Sequence, residues 1–213
     1  MTALEVTRID AGPPPPYRRR MSNAEAAPQF EPAAAAPAAP AQPAPAAAAP
    51  AAPASTWTTP LDALAAPLVA DLARDYDERY GLNEGIPSSA ELSRYPAELF
   101  SPARGGAFLI LESDGEARAG GAFIRVDETT AEMKRVWTHP GHRRRGLARR
   151  VMTELEAEAR RRGYTTAHLT TGARQPEAVG LYLALGYEPL FDLDGDLEEI
   201  SYLRFTKHLG IEQ

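Results

Sequence analysis

The sequence predicts an α+β domain in which a central mixed, mostly antiparallel sheet is flanked by helices, after an Ala/Pro-rich N-terminal tail. Three observations lead to this fold class. Two helical patterns precede the first long strand, three strand patterns then follow with only tight turns between them, and the remainder reads helix, strand, helix, strand, strand. Strands joined by tight turns pair antiparallel, whereas a strand that follows a helix can pair in parallel. A sheet covered by helices is the compact way to bury these apolar faces.

The first quarter of the chain cannot contribute to a hydrophobic core. Residues 32–54 are alanine and proline with the single exception of Gln42. Frequent proline blocks helix propagation, so a flexible, partly polyproline-like tether is expected. The sequence therefore predicts a disordered tail over residues 1–56 and one folded domain over residues 57–213.

The domain begins with a helical pattern that runs from residue 60 to residue 80. Thr59 can cap this helix, Pro60 suits its first position, and Gly81 ends it. A shorter helix is expected to open at Ser88 or Ser89 and to stop before the next proline. The apolar stripe of the first helix recurs at three- and four-residue spacing: Leu61, Leu64, Leu68, Leu72, Tyr76 and Tyr80.

Three strand patterns follow, over residues 107–112, 119–126 and 130–138. The first two are joined by Asp114-Gly115, a dipeptide typical of tight hairpin turns. A further strand ahead of the first helix can come only from residues 55–59, in truncated form. Without that strand, one edge of the sheet would need another cover.

The C-terminal part alternates helices and strands. Helical patterns cover residues 145–162 and 176–185, and each is followed at once by a glycine. Strand patterns cover residues 165–171, 187–191 and 200–208.

Composition excludes several classes of function. The tail carries four arginines and four acidic residues, so the whole formal net charge of −6 resides in the domain. An acidic domain argues against non-specific nucleic-acid binding. The absence of cysteine excludes disulfides, thiolate metal sites and a cysteine nucleophile. No apolar run reaches membrane-spanning length, and the acidic run from Asp192 to Glu199 lacks the ligand pattern of a calcium loop. We therefore expect a cytoplasmic protein without nucleic-acid, membrane or metal partners.

The stretch Val136-Trp-Thr-His-Pro-Gly-His-Arg-Arg-Arg-Gly-Leu-Ala148 is the most informative segment. A strand pattern ends, an Arg/Gly loop follows, and an amphipathic helix begins at once. That order leaves free backbone N–H groups at the positive end of a helix dipole, where a phosphate binds well. Basic residues at a helix start oppose the dipole, so a bound anion explains them better than a solvated helix end. A nucleotide triphosphate loop is disfavoured because the Gly-Lys-Ser/Thr ending is missing.

Two motifs carry a family resemblance. Arg143-Arg-Arg-Gly146-Leu-Ala148 resembles the Arg/Gln-x-x-Gly-x-Gly/Ala signature of the GNAT (GCN5-related) N-acetyltransferases, and it lies between a strand and a helix as the family requires. Roughly thirty residues further on, Ala178-Val-Gly-Leu-Tyr-Leu-Ala-Leu-Gly-Tyr-Glu188 is similar to the second conserved block of the family. In that block a helix tyrosine precedes a glycine–aromatic pair. The resemblance covers residues 61–209.

The resemblance implies acetyl-CoA as the acyl donor. It implies that the backbone amides of residues 144–149 hold the pyrophosphate, with the side chains of Arg143 and Arg145 adding charge-assisted bonds. Strand residues 136–138 would lie along the pantetheine arm, although for Trp137 a place in the core is favoured over a direct cofactor contact. The implied donor-binding set is Val136, Trp137, Thr138, Arg143, Arg144, Arg145, Gly146, Leu147, Ala148 and Arg149.

The resemblance also implies two catalytic residues. Tyr182 matches the helix tyrosine that donates a proton or a hydrogen bond to the departing sulfur, although it could simply be a packed helix residue. Glu132 lies eleven residues before Arg143, the spacing of the catalytic glutamate in the histone-acetylating branch of the family. It could instead be a surface residue paired with Lys134 or Arg125, or a carboxylate in a cleft that orients water or binds a cationic substrate. Strand alternation places Glu132, Lys134 and Val136 on one face and Trp137 on the other, unless a bulge changes the phase.

The function predicted is that of an N-acetyltransferase. It would move the acetyl group of acetyl-CoA directly to an amine of unidentified structure in a ternary complex, as a monomer or a homodimer. The segment from Tyr95 to Phe100 is expected to shape the acceptor side. Two alternatives remain open at this point: a non-catalytic acyl-CoA-binding regulatory module with the same fold, and an interaction protein tethered by the Ala/Pro tail.

Overall fold

The computed structural model of the protein describes residues 52–200 and 202–210. The predicted tail therefore lies outside the described residues, except for its last five. Within the described part, the predicted mixed sheet flanked by helices is confirmed. Its seven strands lie in the order β1-β4-β5-β6-β7-β9-β8, and only the β6–β7 pair is parallel.

The strands of this sheet and the three α-helices are separated by short turns, several of them 3₁₀ turns. A separate two-stranded hairpin, β2–β3, follows the first helix. The elements are β1 (Ala54–Trp57), α1 (Ala66–Tyr80), β2 (Leu82–Asn83), β3 (Ile86–Pro87), β4 (Ala107–Ser113), β5 (Glu116–Arg125), β6 (Thr130–Thr138), α2 (Leu147–Arg161), β7 (Thr166–Thr171), α3 (Pro176–Ala184), β8 (Glu188–Pro189) and β9 (Leu203–His208).

The truncated first strand is present and begins earlier than the predicted domain boundary. Ala54–Trp57 pairs antiparallel with β4, from Ala54 opposite Glu112 to Trp57 opposite Leu109. The side chain of Arg150 on α2 fixes this edge, because it donates to the backbone oxygen of Pro53 at 2.7 Å and to the Ser55 hydroxyl at 2.8 Å. Residues 54–56, which the sequence assigned to the tail, therefore belong to the sheet.

The first helix begins six residues later than predicted. Asp62 accepts a hydrogen bond from the Leu64 amide and caps a 3₁₀ turn over Ala63–Ala65, and α1 starts only at Ala66. The reason is Pro67, which has no N–H for an interior helical bond and is tolerated only in the first turn. Leu61, expected in the apolar stripe, consequently lies outside the helix and is 81% exposed.

Shorter elements also differ from the prediction. The second helix is a 3₁₀ helix over Ser88–Ser93, and the hairpin β2–β3 was not predicted because its strands have two residues each. The strand expected at 187–191 is reduced to Glu188–Pro189. A proline has no N–H to donate to a sheet ladder, which explains why this edge strand does not extend.

The sheet separates two hydrophobic cores. One core lies against α2 and includes Leu109, Phe123, Met133, Leu155 and Phe205. The other lies against α1 and the 3₁₀ turns and includes Leu68, Phe100, Phe108, Ile110 and Trp137. We call them the α2-face core and the α1-face core. Such burial on both faces explains why β4 and β5 read as nearly continuous apolar runs.

A bulge in β6 changes the alternation of its side chains. Gly120 pairs with Trp137 and Ala122 with Lys134, so that Arg135 and Val136 together oppose Gly121. Arg135 has a left-handed backbone with φ +56°. The bulge moves Trp137 onto the α1-face core, the side of the sheet that Ala122 and Ile124 also face, whereas Val136 packs on the α2-face core. The unbroken alternation predicted for these two residues is therefore wrong.

Strands β6 and β7 separate just before the bulge. Their parallel pairing runs from Thr130 opposite Thr166 to Met133 opposite Leu169 and then ends. The last residues of both strands therefore keep unpaired backbone groups that face each other across a gap. Two cavities lie at this opening in the middle of the sheet.

Candidate active site

Two cavities meet at the opening between β6 and β7. The first, of about 440 Å³, lies beside the Arg/Gly loop and is lined by Thr138, Arg143, Gly146 and Ala148 among others; we call it the loop cavity. The second, of about 480 Å³, lies beside the 3₁₀ turn over Ser88–Ser93, and we call it the turn cavity. Five residues line both: Leu72, Val136, Gln175, Ala178 and Tyr182.

The Arg/Gly loop presents free backbone donors to the loop cavity. Arg144 and Gly146 have left-handed backbones, with φ of +61° and +76°, and no side chain caps the start of α2. Within the described part of the chain, the amides of residues 144–149 donate no hydrogen bond. Successive amides in such a turn form a concave anion-binding site, and the helix dipole strengthens it.

Every residue of the predicted donor-binding set except Arg145 lines the loop cavity. Arg145 is exposed on the same loop. Two of the arginines also contact backbone oxygens, since Arg143 Nε lies 3.5 Å from the Thr138 oxygen and Arg149 Nη1 lies 3.3 Å from that of Ala184. The loop therefore lies along the cavity with three arginine side chains at its wall.

The end of β6 forms the inner wall of the loop cavity. Trp137 is only 4% exposed, belongs to the α1-face core, and donates from Nε1 to Asp71 Oδ2 at 3.2 Å. It therefore lines the cavity and packs in the core at the same time. The hydroxyl of Thr138 is buried and has no hydrogen-bond partner among residues 52–200 and 202–210. Such an orphaned polar group is costly unless a ligand satisfies it.

Tyr182 stands at the junction of the two cavities. Its ring packs against Tyr187 at 5.9 Å and Phe205 at 5.7 Å between centroids, and the residue is 7% exposed. Burial raises the pKa of Tyr182, so the hydroxyl stays protonated at neutral pH. This hydroxyl makes no hydrogen bond to any other described residue. Tyr182 is therefore a protonated phenol that lines both cavities.

Glu132 lies behind the wall of the turn cavity. Its Oε1 accepts a hydrogen bond from Lys134 Nζ at 2.7 Å, and Lys134 also donates to the Tyr95 hydroxyl at 2.8 Å. Lys134 and Tyr95 line the cavity, whereas Glu132 does not. Burial opposes the charge of Lys134, but Glu132 outweighs that effect and raises the pKa of Lys134. The pairing with Lys134, one of the roles left open for Glu132, is thus present.

Sequence reasoning missed Glu91 and Arg135. Both line the turn cavity, and Glu91 pairs with Arg94 at 3.0 Å. Burial raises the pKa of Glu91, with a further contribution from the charge of Glu132. Tyr76, expected only as part of a helix stripe, also lines this cavity, and burial next to Glu91 raises its pKa to about 12. No local pattern marks these residues, because only the tertiary fold brings the turn to the bulge.

Membrane-spanning helices and metal-binding clusters are both absent from the residues that the structure describes. None of the helices in these ranges is both long enough and apolar enough to cross a membrane. No three of the histidine and acidic side chains in the same ranges are grouped in a way that would hold a metal ion.

Comparison with known proteins identifies the family. The model of the Acetyltransferase (GNAT) family matches residues 69–187, which is more than half of the chain. The chain belongs to the GNAT family. This confirms the resemblance of the two sequence motifs, and both motifs begin within the matched residues.

Relatives and solved structures agree with the assignment to the GNAT family. The chain is 28% identical to the uncharacterized N-acetyltransferase YjgM of Escherichia coli over 131 residues, 57% of this chain and 75% of YjgM. The crystal structure of a proposed acyl-CoA N-acyltransferase from Klebsiella pneumoniae is 30% identical, with a TM-score of 0.55 over 73% of this chain and 98% of the other. The structure of yncA from Salmonella typhimurium, solved with acetyl-CoA, shares the fold at 18% identity and a TM-score of 0.54, over 75% of this chain and 96% of yncA.

The loop cavity fits the donor that GNAT acetyltransferases use, acetyl-CoA. Its unbonded amides and arginines suit a pyrophosphate, and the orphaned Thr138 hydroxyl offers a hydrogen bond to a polar group in the cavity. The backbone of Gly146 faces open space, since an added Cβ there would meet no other atom within 4 Å. As a member of the GNAT family, the chain is an acetyl-CoA-dependent acyltransferase, as the sequence predicted.

Proposed function

We propose that the chain is an N-acetyltransferase that moves the acetyl group of acetyl-CoA directly to an amine in a ternary complex. One observation carries this proposal: the loop cavity and the turn cavity share Val136 and Tyr182. A donor held in the first cavity and an acceptor held in the second would therefore meet beside the same tyrosine. Direct transfer requires such a meeting, because both reactants must be bound and oriented together.

The donor-binding residues are proposed in the roles that the sequence suggested, except that Arg144 and Arg149 take the place of Arg145 beside the pyrophosphate. The amides of residues 144–149 would hold the pyrophosphate, with Arg143, Arg144 and Arg149 adding charge. Arg145, which lies on the exposed side, would reach only the outer phosphates. Residues 136–138 have no partner on the β7 side, where β6 and β7 separate, and would pair there with the amide groups of the pantetheine arm.

Tyr182 is proposed to assist the departure of the thiolate. Acetyl-CoA supplies a thioester whose acetyl group is transferred, and the sulfur leaves as a poor base that a hydrogen bond stabilises. The buried, protonated hydroxyl of Tyr182 has a donor to offer and no competing acceptor among the described residues. A preorganised donor at developing negative charge is a strong source of catalysis.

Glu132 is proposed as the base that removes a proton from the acceptor amine. Since its carboxylate lies behind Lys134 and outside the cavity lining, the proton would travel through water rather than directly. Two features support this role. The side chain is 15% exposed, so a water can reach it, and its carboxylate lies within one hydrogen bond of a cavity-lining residue.

Replacing Glu132 tests the base. Glu132→Gln is expected to lower kcat/KM for the amine about 100-fold at pH 7, because general-base catalysis contributes 10²–10⁴-fold. Raising the pH to 9 should restore much of the loss, since more of the acceptor then arrives deprotonated. The measurement is a pH profile of initial rates, with the exposed Glu128→Gln as a control that keeps the wild-type profile. A loss that does not depend on pH would assign Glu132 to the stability of the Lys134 pair instead.

The proposed function is tested by an acceptor screen on the purified chain. Thiol release and acetylated product would be measured with acetyl-CoA against amino acids, polyamines, aminoglycosides and peptides. Turnover with at least one primary amine, and acetylation of its nitrogen, is the expected result. Thiol release only with hydroxyl acceptors, or none with any acceptor while acetyl-CoA still binds, would overturn the amine as substrate.

The location and the oligomeric state of the protein, both expected from the sequence, remain predictions. The chain is proposed to act in the cytoplasm, for which the lack of cysteine is the sequence argument. It is proposed to act as a monomer or a homodimer. Sedimentation of the purified chain measures the second point directly.

A further inference from the structure

The turn cavity contains one cation without a counter-ion. Three basic side chains line this cavity. Arg94 pairs with Glu91 at 3.0 Å, and Lys134 pairs with Glu132 at 2.7 Å. Arg135 has no carboxylate within ion-pair distance in the described ranges. The remaining acidic residue of the lining, Glu84, is exposed in the turn between β2 and β3.

The guanidinium of Arg135 is held by two contacts, but among the described residues it has no anionic partner. Its Nη2 donates to the backbone oxygen of Leu92 at 2.7 Å, and its guanidinium lies 4.3 Å from the centroid of the Phe100 ring. These contacts use one of five N–H donors and one face of the group. Burial lowers the pKa of Arg135, yet a guanidinium remains charged in proteins. A half-buried charge without a counter-ion is unfavourable until an anion joins it.

The position of Arg135 is fixed by the bulge of β6. Its left-handed backbone directs it away from the regular alternation of the strand. The next residue, Val136, lines both cavities, so Arg135 lies beside the place where donor and acceptor are proposed to meet. A left-handed conformation in a non-glycine residue is strained, and such strain is concentrated at functional sites.

We propose that the acceptor carries a carboxylate next to its amine, and that Arg135 binds this carboxylate. The inference rests on the proposed N-acetyltransferase function and names its substrate class: a free amino acid with an apolar or aromatic side chain. A guanidinium fork matches a carboxylate in a bidentate pair. One uncompensated positive charge matches one carboxylate, and an α-amino acid keeps its amine one carbon away. Tyr76, Tyr80, Tyr95 and Tyr202 provide aromatic walls for the side chain.

The proposed class of acceptor, a free amino acid, can be tested without knowing its side chain, by comparing acceptors that differ only in the carboxylate. Each amino acid of a panel is compared with its amide, which keeps the amine and the side chain but removes the negative charge. The wild type should prefer the free acid at least about 10-fold in kcat/KM, because a site built to bind a polar group discriminates strongly against its absence. In Arg135→Gln, this ratio of acid to amide should fall to about one. Arg125→Gln, which removes an exposed strand arginine outside both cavities, should keep the wild-type ratio.

The ratio of kcat/KM for the acid to that for the amide shows whether Arg135 binds the carboxylate or has a purely structural role. If Arg135 only anchors the 3₁₀ turn through Leu92, Arg135→Gln lowers the rates on acid and amide equally, and the inference is overturned. Arg135→Lys, which keeps the charge and loses the fork, should show an intermediate ratio if Arg135→Gln does not fold. If the wild type turns over the amides as fast as the acids, the inference that the acceptor carries a carboxylate is overturned, while the proposed function stands. No turnover of any acid or amide of the panel, while another amine of the acceptor screen is acetylated, overturns the inference and leaves the proposed function standing. Only a failure of every amine in that screen overturns both.

Discussion

Tyr182→Phe is expected to lower kcat about 100-fold and to leave the Kd for acetyl-CoA nearly unchanged. The substitution removes only the hydroxyl, which makes no hydrogen bond within the described structure, so the packing against Phe205 is kept. What is lost is the donor that stabilises the departing thiolate, and a group that acts only in the transition state lowers kcat rather than binding. Steady-state kinetics and calorimetric titration of acetyl-CoA measure the two quantities separately.

Tyr187→Phe is the matched control for that variant. Tyr187 packs against Tyr182 with the ring centroids 5.9 Å apart, is equally buried, and lines neither cavity. Its hydroxyl is also buried without a hydrogen-bond partner among the described residues. Removing it should therefore leave kcat within about threefold of the wild type, since the change does not touch the reacting groups. Equal losses in both variants would show that the effect of Tyr182 is one of packing.

Gly146→Val is expected to weaken acetyl-CoA binding about 10- to 100-fold. Gly146 has φ +76°, a conformation in which a β-branched residue is strained by a few kcal/mol. The loop can relieve that strain only by leaving the left-handed turn, which would redirect the amides that line the loop cavity. An added side chain would also separate the backbone from the pyrophosphate. Calorimetric titration with acetyl-CoA gives the change in Kd.

Gly163→Val separates loss of binding from loss of stability. Gly163 lies just past the C-terminal end of α2, at the opposite end of the helix from Gly146. It has φ +91°, and an added Cβ at Gly163, as at Gly146, would meet no neighbouring atom. Both variants should therefore lose similar stability in thermal unfolding. Only Gly146→Val should lose affinity for acetyl-CoA. A comparable loss of affinity in both variants would mean that the loop does not form the pyrophosphate site.

The sequence predicted those elements whose patterns are local. Strand β6 was predicted over its observed range, because turn residues precede it and a proline-containing loop follows it. The start of α1 was misplaced because two prolines compete for the first turn of the helix. Pro60 fits the pattern of leucines, but Pro67 excludes any helix that would pass through it. The interruption was thus visible in the sequence, and the apolar periodicity outweighed it in the prediction.

The two halves of the site differ in how far the sequence reveals them. The proposed donor half comes from one continuous segment, residues 136–149, so its residues could be predicted together. The turn cavity, the proposed acceptor half, joins residues far apart in the chain, such as Glu91 from a 3₁₀ turn and Lys134 from a strand. The bulge at Arg135 depends on how β5 pairs with β6, and no sequence spacing records that register. For this reason Arg135 and the face of Trp137 emerged only from the structure.

Rapid mixing of the enzyme with acetyl-CoA in the absence of an amine tests the central claim most directly. That claim is a single transfer step between two ligands that meet at Tyr182. It predicts no burst of free thiol and no gain in the mass of the protein. On addition of the acceptor, thiol and acetylated amine should appear at the same rate. A burst of one thiol per enzyme molecule before the acceptor is added, with an acetyl group on the protein, would contradict it.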